Sequence, residues 1–479
     1  MRPAVEVRGR RGERVVRPST LGELVDSGYR PRTVREEMRA NLAARLRAHE
    51  PFMPEMIGYA ESVVPALEHA ILAGHDMIFL GERGQGKSKM IRKLVELLDE
   101  TVPIIDGSEV NDDPLAPISH WGRARVAELG GRTPIAWIGR GSRYGEKLAT
   151  PATSVADLIG EIDPIRVAEG HYLADESTIH FGLIPRTNRG IFCINELPDL
   201  AEKVQVGLFN VMEERDFQVK GFKVRLPLDI LVVASANPED YTRRGRIITP
   251  LKDRYQAQIR THYPPTRELE IAVMKQERRK PRESGGELFV PFFIEQIVAE
   301  LTIQARKSPD VSQVSGVSVR ASIANYETII ACAERRALLL GEKEAVPRLT
   351  DLPALRASMG GKMELEYAGS EKSENEILDS LGKRAVLSVF EEVCGGFDLE
   401  SVVRAFDDGW KVEVGDELPA KEYAEGLDNI AGLRKAVELL GCGSSPARIA
   451  AAVELVLEGL HLQNKLNREV AGRRLTYGS

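Results

Sequence analysis

Cysteine is scarce in this chain, which has four cysteines in 479 residues: Cys193, Cys332, Cys394 and Cys442. No two of them form the closely spaced pair that a zinc ribbon or a dithiol redox site requires. Four isolated cysteines also cannot build the dense disulfide framework of small secreted domains. We therefore expect a fold that is held together by hydrophobic cores in a reducing environment.

Long apolar runs are absent as well. No stretch of the sequence approaches the roughly 18 consecutive apolar residues of a membrane-spanning helix. The first residues also lack the apolar segment of a secretory signal peptide. The sequence therefore predicts a cytoplasmic protein with no membrane partner.

An excess of positive charge is missing too, because 65 Lys and Arg residues stand against 72 Asp and Glu, which gives a net charge of -7. A dedicated nucleic-acid binder needs a basic surface, since much of its affinity comes from neutralising phosphates. Nucleic acid is therefore not an expected partner, and the arginine-rich segment 1–20 is interpreted as a solvated tail.

The overall composition is that of a globular protein, with 43% apolar and 29% charged residues. A chain of this length is expected to form about two to four domains.

The segment from Gly81 to Ser88 reads GERGQGKS and matches the pattern GxxxxGK[ST] in full. It follows the apolar run MIFL and precedes the helical segment KMIRKLVELLD, which is the context of a phosphate-binding P-loop. Its glycines let backbone amides turn towards phosphate oxygens, the lysine reaches the β and γ phosphates, and the serine coordinates Mg²⁺. This pattern predicts ATP and Mg²⁺ as cofactors and the following nucleotide-binding residues: Gly81, Glu82, Arg83, Gly84, Gln85, Gly86, Lys87, Ser88 and Lys89.

Apolar strands alternate with helical segments around this loop, which predicts an α/β domain with a parallel sheet. Strands are expected at 77–80, 102–105, 191–194 and 230–234, with a candidate strand at 135–138. After residue 263 the pattern becomes helical, and a final helix is predicted to begin after Ser445 with Pro446 in its first turn.

A second motif, GIFCINEL, ends an apolar strand in Asn195 and Glu196. A carboxylate at this place can orient and activate the attacking water of a P-loop ATPase, which suits Glu196. The position on the magnesium side is normally Asp. Asn195 keeps an acceptor oxygen for Mg²⁺, through a water, but lacks the negative charge.

Three further polar residues are catalytic candidates. Asn237 ends the strand ILVVASAN, where an amide can position the water beside the γ phosphate. Arg254 in LKDRY and Arg320 in GVSVR are candidates for the arginine that stabilises charge in the transition state, often on a neighbouring subunit.

The order of these motifs resembles a known family. GERGQGKS, IGEIDP, GLIPRTNRGIFCINELPDL, VASANPEDY, ITPLKDRY and GVSVR follow one another as in the AAA+ ATPases of the MoxR and magnesium chelatase subunit I clade, over roughly residues 52–340. The resemblance implies a P-loop AAA+ three-layer α/β core, a helical lid and a ring, commonly a hexamer, with ATP between subunits. It makes Asn237 sensor 1, Arg254 the arginine finger and Arg320 sensor 2.

The resemblance also implies that Ile57, Gly58 and Tyr59 lie near the adenine, and that a hairpin from Phe217 to Leu226 precedes sensor 1. The expected domains are a basic tail and helical segment at 1–50, the nucleotide-binding core at 51–263, the lid at 264–345 and a mostly helical region at 346–479. Members of the clade typically work with a partner that bears a von Willebrand factor A domain.

The sequence thus predicts a ring-forming ATPase that remodels or matures a partner protein, as a chaperone or a metal chelatase does. Two alternatives stay open at this point. One is a nucleotide-binding regulatory scaffold that hydrolyses little ATP because of Asn195. The other is an AAA+ protein that acts on DNA, as a helicase or a sigma-factor activator.

Overall fold

The computed structural model describes residues 7–8, 14–15, 17–163, 165, 176–216, 226–237, 246–279, 286–312, 316–364, 373–472 and 474–479. The chain divides into two units: Met1–Glu82 with Gly86–His262, and Arg83–Gln85 with Tyr263–Ser479. Apart from Leu226, the predicted hairpin at 217–226 lies outside the described residues.

A five-stranded parallel sheet forms the centre of the first unit. Its strands lie side by side in the order β5-β1-β4-β3-β2. In chain order they are β1 Met77–Leu80, β2 Tyr144–Leu148, β3 Gly190–Asn195, β4 Ile230–Ala236 and β5 Ala257–Arg260. Because all five strands are parallel, the residues that follow β1, β3 and β4 meet at one edge of the sheet.

The two faces of this sheet belong to separate hydrophobic clusters. One cluster joins Ile78, Ile194 and Ala234 to apolar side chains that include Leu208 and Leu251. The other joins Met77, Cys193 and Val233 to the helices that carry Leu42, Leu67 and Met90. Alternate residues of each strand serve opposite faces, so the unit has the three-layer α/β architecture that was predicted.

The predicted strand at 102–105 forms, but outside the central sheet. It spans Thr101–Ile105 and pairs antiparallel with Ile135–Gly139. The edge of the central sheet beside β3 is formed by β2, which sequence patterning did not predict. The sequence of β2, YGEKL, has no apolar run, because an edge strand contacts only one neighbour and is partly exposed.

The remaining elements of the first unit are mostly short. Two antiparallel ribbons pair Val7–Arg8 with Arg14–Val15 and Gly160–Ile162 with Ile179–Phe181. The α-helices are Leu21–Asp26, Val34–Arg47, Val63–Ala73, Lys87–Lys93, His120–Leu129, Val155–Leu158, Leu183–Arg186, Glu202–Gly207, Phe209–Glu213 and Thr249–Arg254. The 3-10 turns are Leu94–Leu97, Gly130–Arg132, Arg140–Arg143, Glu176–Thr178 and Leu197–Asp199.

The second unit is mostly helical, as expected. Its α-helices are Arg267–Glu277, Phe292–Lys307, Val319–Leu340, Arg356–Met359, Glu374–Cys394, Glu400–Asp407, Ala420–Gly426, Leu433–Leu439 and Pro446–Leu462, with 3-10 turns at Leu349–Leu355 and Leu427–Asn429. Glu287–Leu288 pairs with Glu344–Ala345, and a second sheet has the order Val412–Gly415, Arg474–Gly478, Asn467–Ala471.

One continuous hydrophobic cluster runs through this unit from Met274 to Tyr477. The final helix begins as predicted, because the Ser445 hydroxyl accepts a hydrogen bond from the Arg448 amide at 3.4 Å. The predicted boundary between 345 and 346 stays a prediction. In the part of the chain that the structure describes, no helix is long and apolar enough to cross a bilayer.

Candidate functional site

The P-loop leaves the carboxyl end of β1 beside the end of β4. The Gly81 amide donates to the Ala236 carbonyl at 3.2 Å, which ties the start of the loop to the end of the neighbouring strand. Gly84 and Gly86 have φ values of 78° and 75°. This left-handed backbone favours glycine because other residues would place Cβ too close to the following carbonyl. A Cβ on Gly86 would also lie 2.8 Å from the Met56 side chain.

Lys87 opens the helix that follows the loop, with Ser88 and Lys89 in its first turn. The Lys87 side chain turns back over the loop, where its ammonium group donates to the carbonyl oxygen of Gly81 and, at 2.8 Å, to that of Glu82. Lys87 is only 8% exposed. The structure therefore holds a positive charge inside the loop, against the loop's own carbonyl oxygens.

The segment with the predicted adenine contacts passes close to the loop, because Met56 lies against Gly86. Tyr59 is buried, donates to the His262 carbonyl at 2.7 Å and packs edge-on against the His262 ring at 5.0 Å. Burial raises the pKa of the Tyr59 hydroxyl well above its usual range. Ile57 and Gly58 are partly exposed, and Gly58 has a φ of 84°. Their contact with adenine stays a prediction.

Asn195 ends β3 and is 7% exposed. Its side-chain amide forms hydrogen bonds with both neighbouring strands. The Oδ1 atom accepts from the Ser235 hydroxyl on β4 at 3.1 Å, and the Nδ2 atom donates to the Glu146 carboxylate on β2. Position 195 thus carries an amide and not a carboxylate, but the Glu146 carboxylate lies within hydrogen-bonding distance of that amide.

Glu146 is itself held by several donors. Arg92 donates to its two carboxylate oxygens at 2.9 and 2.8 Å, and the Tyr144 hydroxyl donates at 2.9 Å. The hydrogen bond from Arg92 is the main reason why the pKa of Glu146 lies below its usual value. Arg92 belongs to the helix that starts at Lys87. A chain of polar contacts thus joins the P-loop helix to the end of β3.

Glu196 follows Asn195 in a left-handed backbone conformation, with φ 56° and ψ 50°. This conformation costs a residue other than glycine roughly 1–2 kcal/mol, and proteins retain such strain mainly at functional sites. The Glu196 amide donates to the Ser235 hydroxyl at 3.2 Å. One hydroxyl group of β4 therefore positions both residues of the second motif.

Asn237 is buried directly after β4, one residue beyond the carbonyl that receives the Gly81 amide. Asn237, Glu196 and the start of the P-loop thus lie at the same edge of the sheet. Sheet topology brings together the three features that the motifs predicted to act on the phosphate.

Arg254 ends the helix Thr249–Arg254 and contacts a neighbouring helix of its own chain. Its guanidinium pairs with Glu213, donates to the Pro250 carbonyl at 2.7 Å and lies 4.5 Å from the centre of the Phe209 ring. Its role on a neighbouring subunit stays a prediction. Arg320 is exposed in the first turn of the helix Val319–Leu340, in the second unit, and its predicted role also stays untested.

Comparisons with known proteins agree with these motifs. A family model described as the sigma-54 interaction domain matches residues 167–255. The magnesium-chelatase subunit ChlI of Anabaena variabilis is 27% identical over 212 residues, which cover 42% of this chain and 57% of that protein. ChlI of Synechocystis sp. is 26% identical over 254 residues, which cover 50% of this chain and 65% of that protein.

This chain is similar to magnesium chelatase subunit I over part of its length.

The matched region spans less than two thirds of either of these two relatives. Among solved structures, a model of the BchI–BchD complex of magnesium chelatase is 18% identical, and the match covers 76% of this chain and 100% of that chain with a TM-score of 0.31. NtrX from Brucella abortus is 15% identical, and the match covers 70% of this chain and 61% of the NtrX chain with a TM-score of 0.35.

Three residues of this site were not predicted from the sequence: Arg92, Glu146 and Ser235. Ser235 left a signal, because it is a lone hydroxyl in the apolar run ILVVASA. Glu146 left none, because its strand was not expected. Arg92 lies on the exposed side of the P-loop helix, where a charged residue is ordinary.

Proposed function

We propose that this chain is an AAA+ ATPase, which binds ATP with Mg²⁺ at the edge of the sheet where β1, β3 and β4 end and hydrolyses it. The observation that supports the proposal best is the grouping of the P-loop, Glu196 and Asn237 at that one edge. The residues suit the ligand, because the Ser88 hydroxyl and the Asn195 amide oxygen are oxygen donors of the kind that Mg²⁺ prefers. A glycine-rich loop of this kind can turn several backbone amides towards phosphate oxygens.

The nucleotide supplies the phosphoryl group to be transferred, and Mg²⁺ offsets the charge on it. Lys87 exchanges its carbonyl partners for phosphate oxygens. Glu196 accepts a hydrogen bond from the attacking water and takes its proton as the bond from water to the γ phosphorus forms and the bond from that phosphorus to the ADP oxygen breaks. Asn237 orients the same water. Arg254 acts on the nucleotide of a neighbouring subunit, which makes hydrolysis depend on assembly.

We propose further that hydrolysis drives the remodelling or maturation of a partner protein by a ring of these subunits. The support is the relationship to magnesium chelatase subunit I, which is itself one subunit of a larger enzyme. A protein with a von Willebrand factor A domain is the proposed partner.

A second candidate function is a nucleotide-dependent scaffold with little hydrolysis. Asn195 favours it, because the amide brings no negative charge to the magnesium side. A third candidate, an activator that acts with sigma-54, is favoured by the family match over 167–255. Binding of purified protein to sigma-54 and to duplex DNA at low salt tests the third candidate, and we expect neither to bind.

Phosphate release from ATP, measured over a range of protein concentrations, separates the first two candidates. We expect release that rises more than in proportion to protein concentration, because the site needs Arg254 from a second subunit. The Glu196→Gln variant should lose about a hundredfold or more of the rate while still binding a fluorescent ATP analogue.

Glu202→Gln is the matched control, because Glu202 is an exposed glutamate in the next helix. It should hydrolyse ATP like the wild type. Nucleotide binding without phosphate release at every concentration would favour the scaffold. Full activity in Glu196→Gln would show that Glu196 is not the residue that activates water.

A further inference from the structure

The orientation of the Asn195 amide is decided by its neighbours. The Ser235 hydroxyl accepts a hydrogen bond from the Glu196 amide at 3.2 Å, so its own hydrogen is available for the Asn195 Oδ1 atom, 3.1 Å away. On the other side of β3 the Glu146 carboxylate accepts from Nδ2. A flipped amide would put its oxygen against a carboxylate that has no hydrogen to donate. The amide therefore has one favourable orientation.

The order of the strands shows towards which side of the sheet each atom of the Asn195 amide points. β3 lies between β4 and β2, and β4 lies next to β1, which leads into the P-loop. Since Ser235 is on β4 and Glu146 is on β2, the Asn195 oxygen faces the P-loop side of the sheet and its nitrogen faces away. The acceptor oxygen thus points to the side of the sheet where the P-loop helix begins, with Ser88 in its first turn.

The same arrangement accounts for the absence of aspartate at position 195. An aspartate there would set a second carboxylate oxygen against Glu146, whose side chain is 22% exposed. Two carboxylates in contact repel each other when both are ionised, and a partly buried site screens that repulsion poorly. Glu146 is kept ionised by its two-point contact with Arg92. An amide at 195 instead donates a hydrogen bond to the carboxylate.

We propose that Glu146 is a positioning residue of the nucleotide site and that the Asn195–Glu146 pair replaces the single aspartate at this place. Glu146 holds the Asn195 oxygen towards the magnesium side, and Arg92 connects this pair to the P-loop helix. This inference rests on the proposed function, because it assigns the pair a role in binding Mg²⁺ with ATP.

The test compares Glu146→Gln, Asn195→Asp and the double variant that carries both changes. Two properties are measured for each: the urea midpoint of unfolding, and the affinity for a fluorescent ATP analogue with Mg²⁺ and with EDTA. Glu161→Gln is the control, since Glu161 is an exposed glutamate outside this network.

Asn195→Asp alone should lower the urea midpoint, because it brings two carboxylates together. Each single variant should bind Mg²⁺-ATP about tenfold more weakly, which is the usual cost of losing a residue that orients a metal ligand. Binding in EDTA should not change. The double variant again places one amide donor opposite one carboxylate. Its urea midpoint should therefore return to that of the wild type, and its affinity for Mg²⁺-ATP should return to within about twofold of the wild-type value.

The positioning role is refuted if Asn195→Asp keeps the full midpoint and Mg²⁺ response, or if the double variant is no better than the worse single variant. A restored midpoint with an unchanged Mg²⁺ response in all variants would also refute it, because the pair would then be purely structural. If the wild type binds no nucleotide, the proposed function fails, while the urea midpoints still report whether the pair exists.

Discussion

The contact between Arg254 and Glu213 is expected to restrain the ATP hydrolysis that we propose for this chain. An arginine that acts on a neighbouring subunit's nucleotide must release the partners that it has within its own chain. Here the guanidinium pairs with the Glu213 carboxylate and lies 4.5 Å from the centre of the Phe209 ring. Replacing Glu213 by glutamine should therefore favour the released arginine and raise the rate of phosphate release.

The size of the effect follows from the exposure of the pair. The side chains of Arg254 and Glu213 are 27% and 58% exposed, so solvent weakens their attraction. Pairs of this kind contribute about 0.2–1 kcal/mol. Since 1.4 kcal/mol corresponds to a factor of ten in an equilibrium, the fraction of released arginine should rise by up to about fivefold.

The assay is phosphate release at a protein concentration below the one that gives the full rate, for the wild type, Glu213→Gln and Arg254→Ala. Glu214→Gln is the matched control, because it changes the next exposed glutamate of the same segment. We expect Glu213→Gln to be faster than the wild type, Glu214→Gln to equal it, and Arg254→Ala to lose nearly all release. If Glu213→Gln were as slow as Arg254→Ala, the pair would belong to the active arrangement and the reasoning would be wrong.

Three further predictions concern other parts of the chain. Glu37→Gln should destabilise the fold by about 3–5 kcal/mol in urea unfolding, because it leaves buried Arg143 without the carboxylate that it contacts at 2.8 and 2.6 Å; a loss below about 1 kcal/mol would contradict this. Tyr59→Phe should lower the free energy of unfolding by about 1 kcal/mol, because the hydrogen bond to the His262 carbonyl is lost. If the same variant also bound ATP more weakly by about 1 kcal/mol, Tyr59 would lie at the nucleotide. Burial raises the pKa of Glu454 in the folded state, so its contribution to stability is present below the unfolded pKa and lost as pH rises through the folded pKa; the wild type should therefore lose stability relative to Glu454→Gln as pH is raised from about 4, and a constant difference in urea midpoints would refute it.

Much of the fold was predictable because its signals are local. The strands β1, β3 and β4 are buried on both faces, and such strands read as uninterrupted apolar runs. The final helix was predicted from Ser445, Pro446 and the apolar stripe after them. In contrast, β2 was missed because an edge strand needs no such run. The strand that was predicted at 102–105 is more apolar, but it pairs with Ile135–Gly139 outside the central sheet.

The site divides in the same way. The P-loop residues lie next to one another in the chain, so their pattern carries the phosphate chemistry directly. Glu146 and Asn195 are separated by 49 positions, and nothing in either local sequence indicates that they meet. Their contact depends on the register between β2 and β3, in which Glu146 lies opposite Cys193 and Leu148 opposite Asn195.

The sequence by itself determined that this protein has a P-loop, an α/β core and the order of motifs that relates it to magnesium chelatase subunit I, because each of these depends on consecutive residues and short-range periodicity. Only the tertiary structure decided how Asn195 is used. An amide in place of aspartate reads in the sequence as a lost charge. In the fold it is a hydrogen-bond donor to a carboxylate on the next strand, because strand pairing brings together side chains that are distant in the chain.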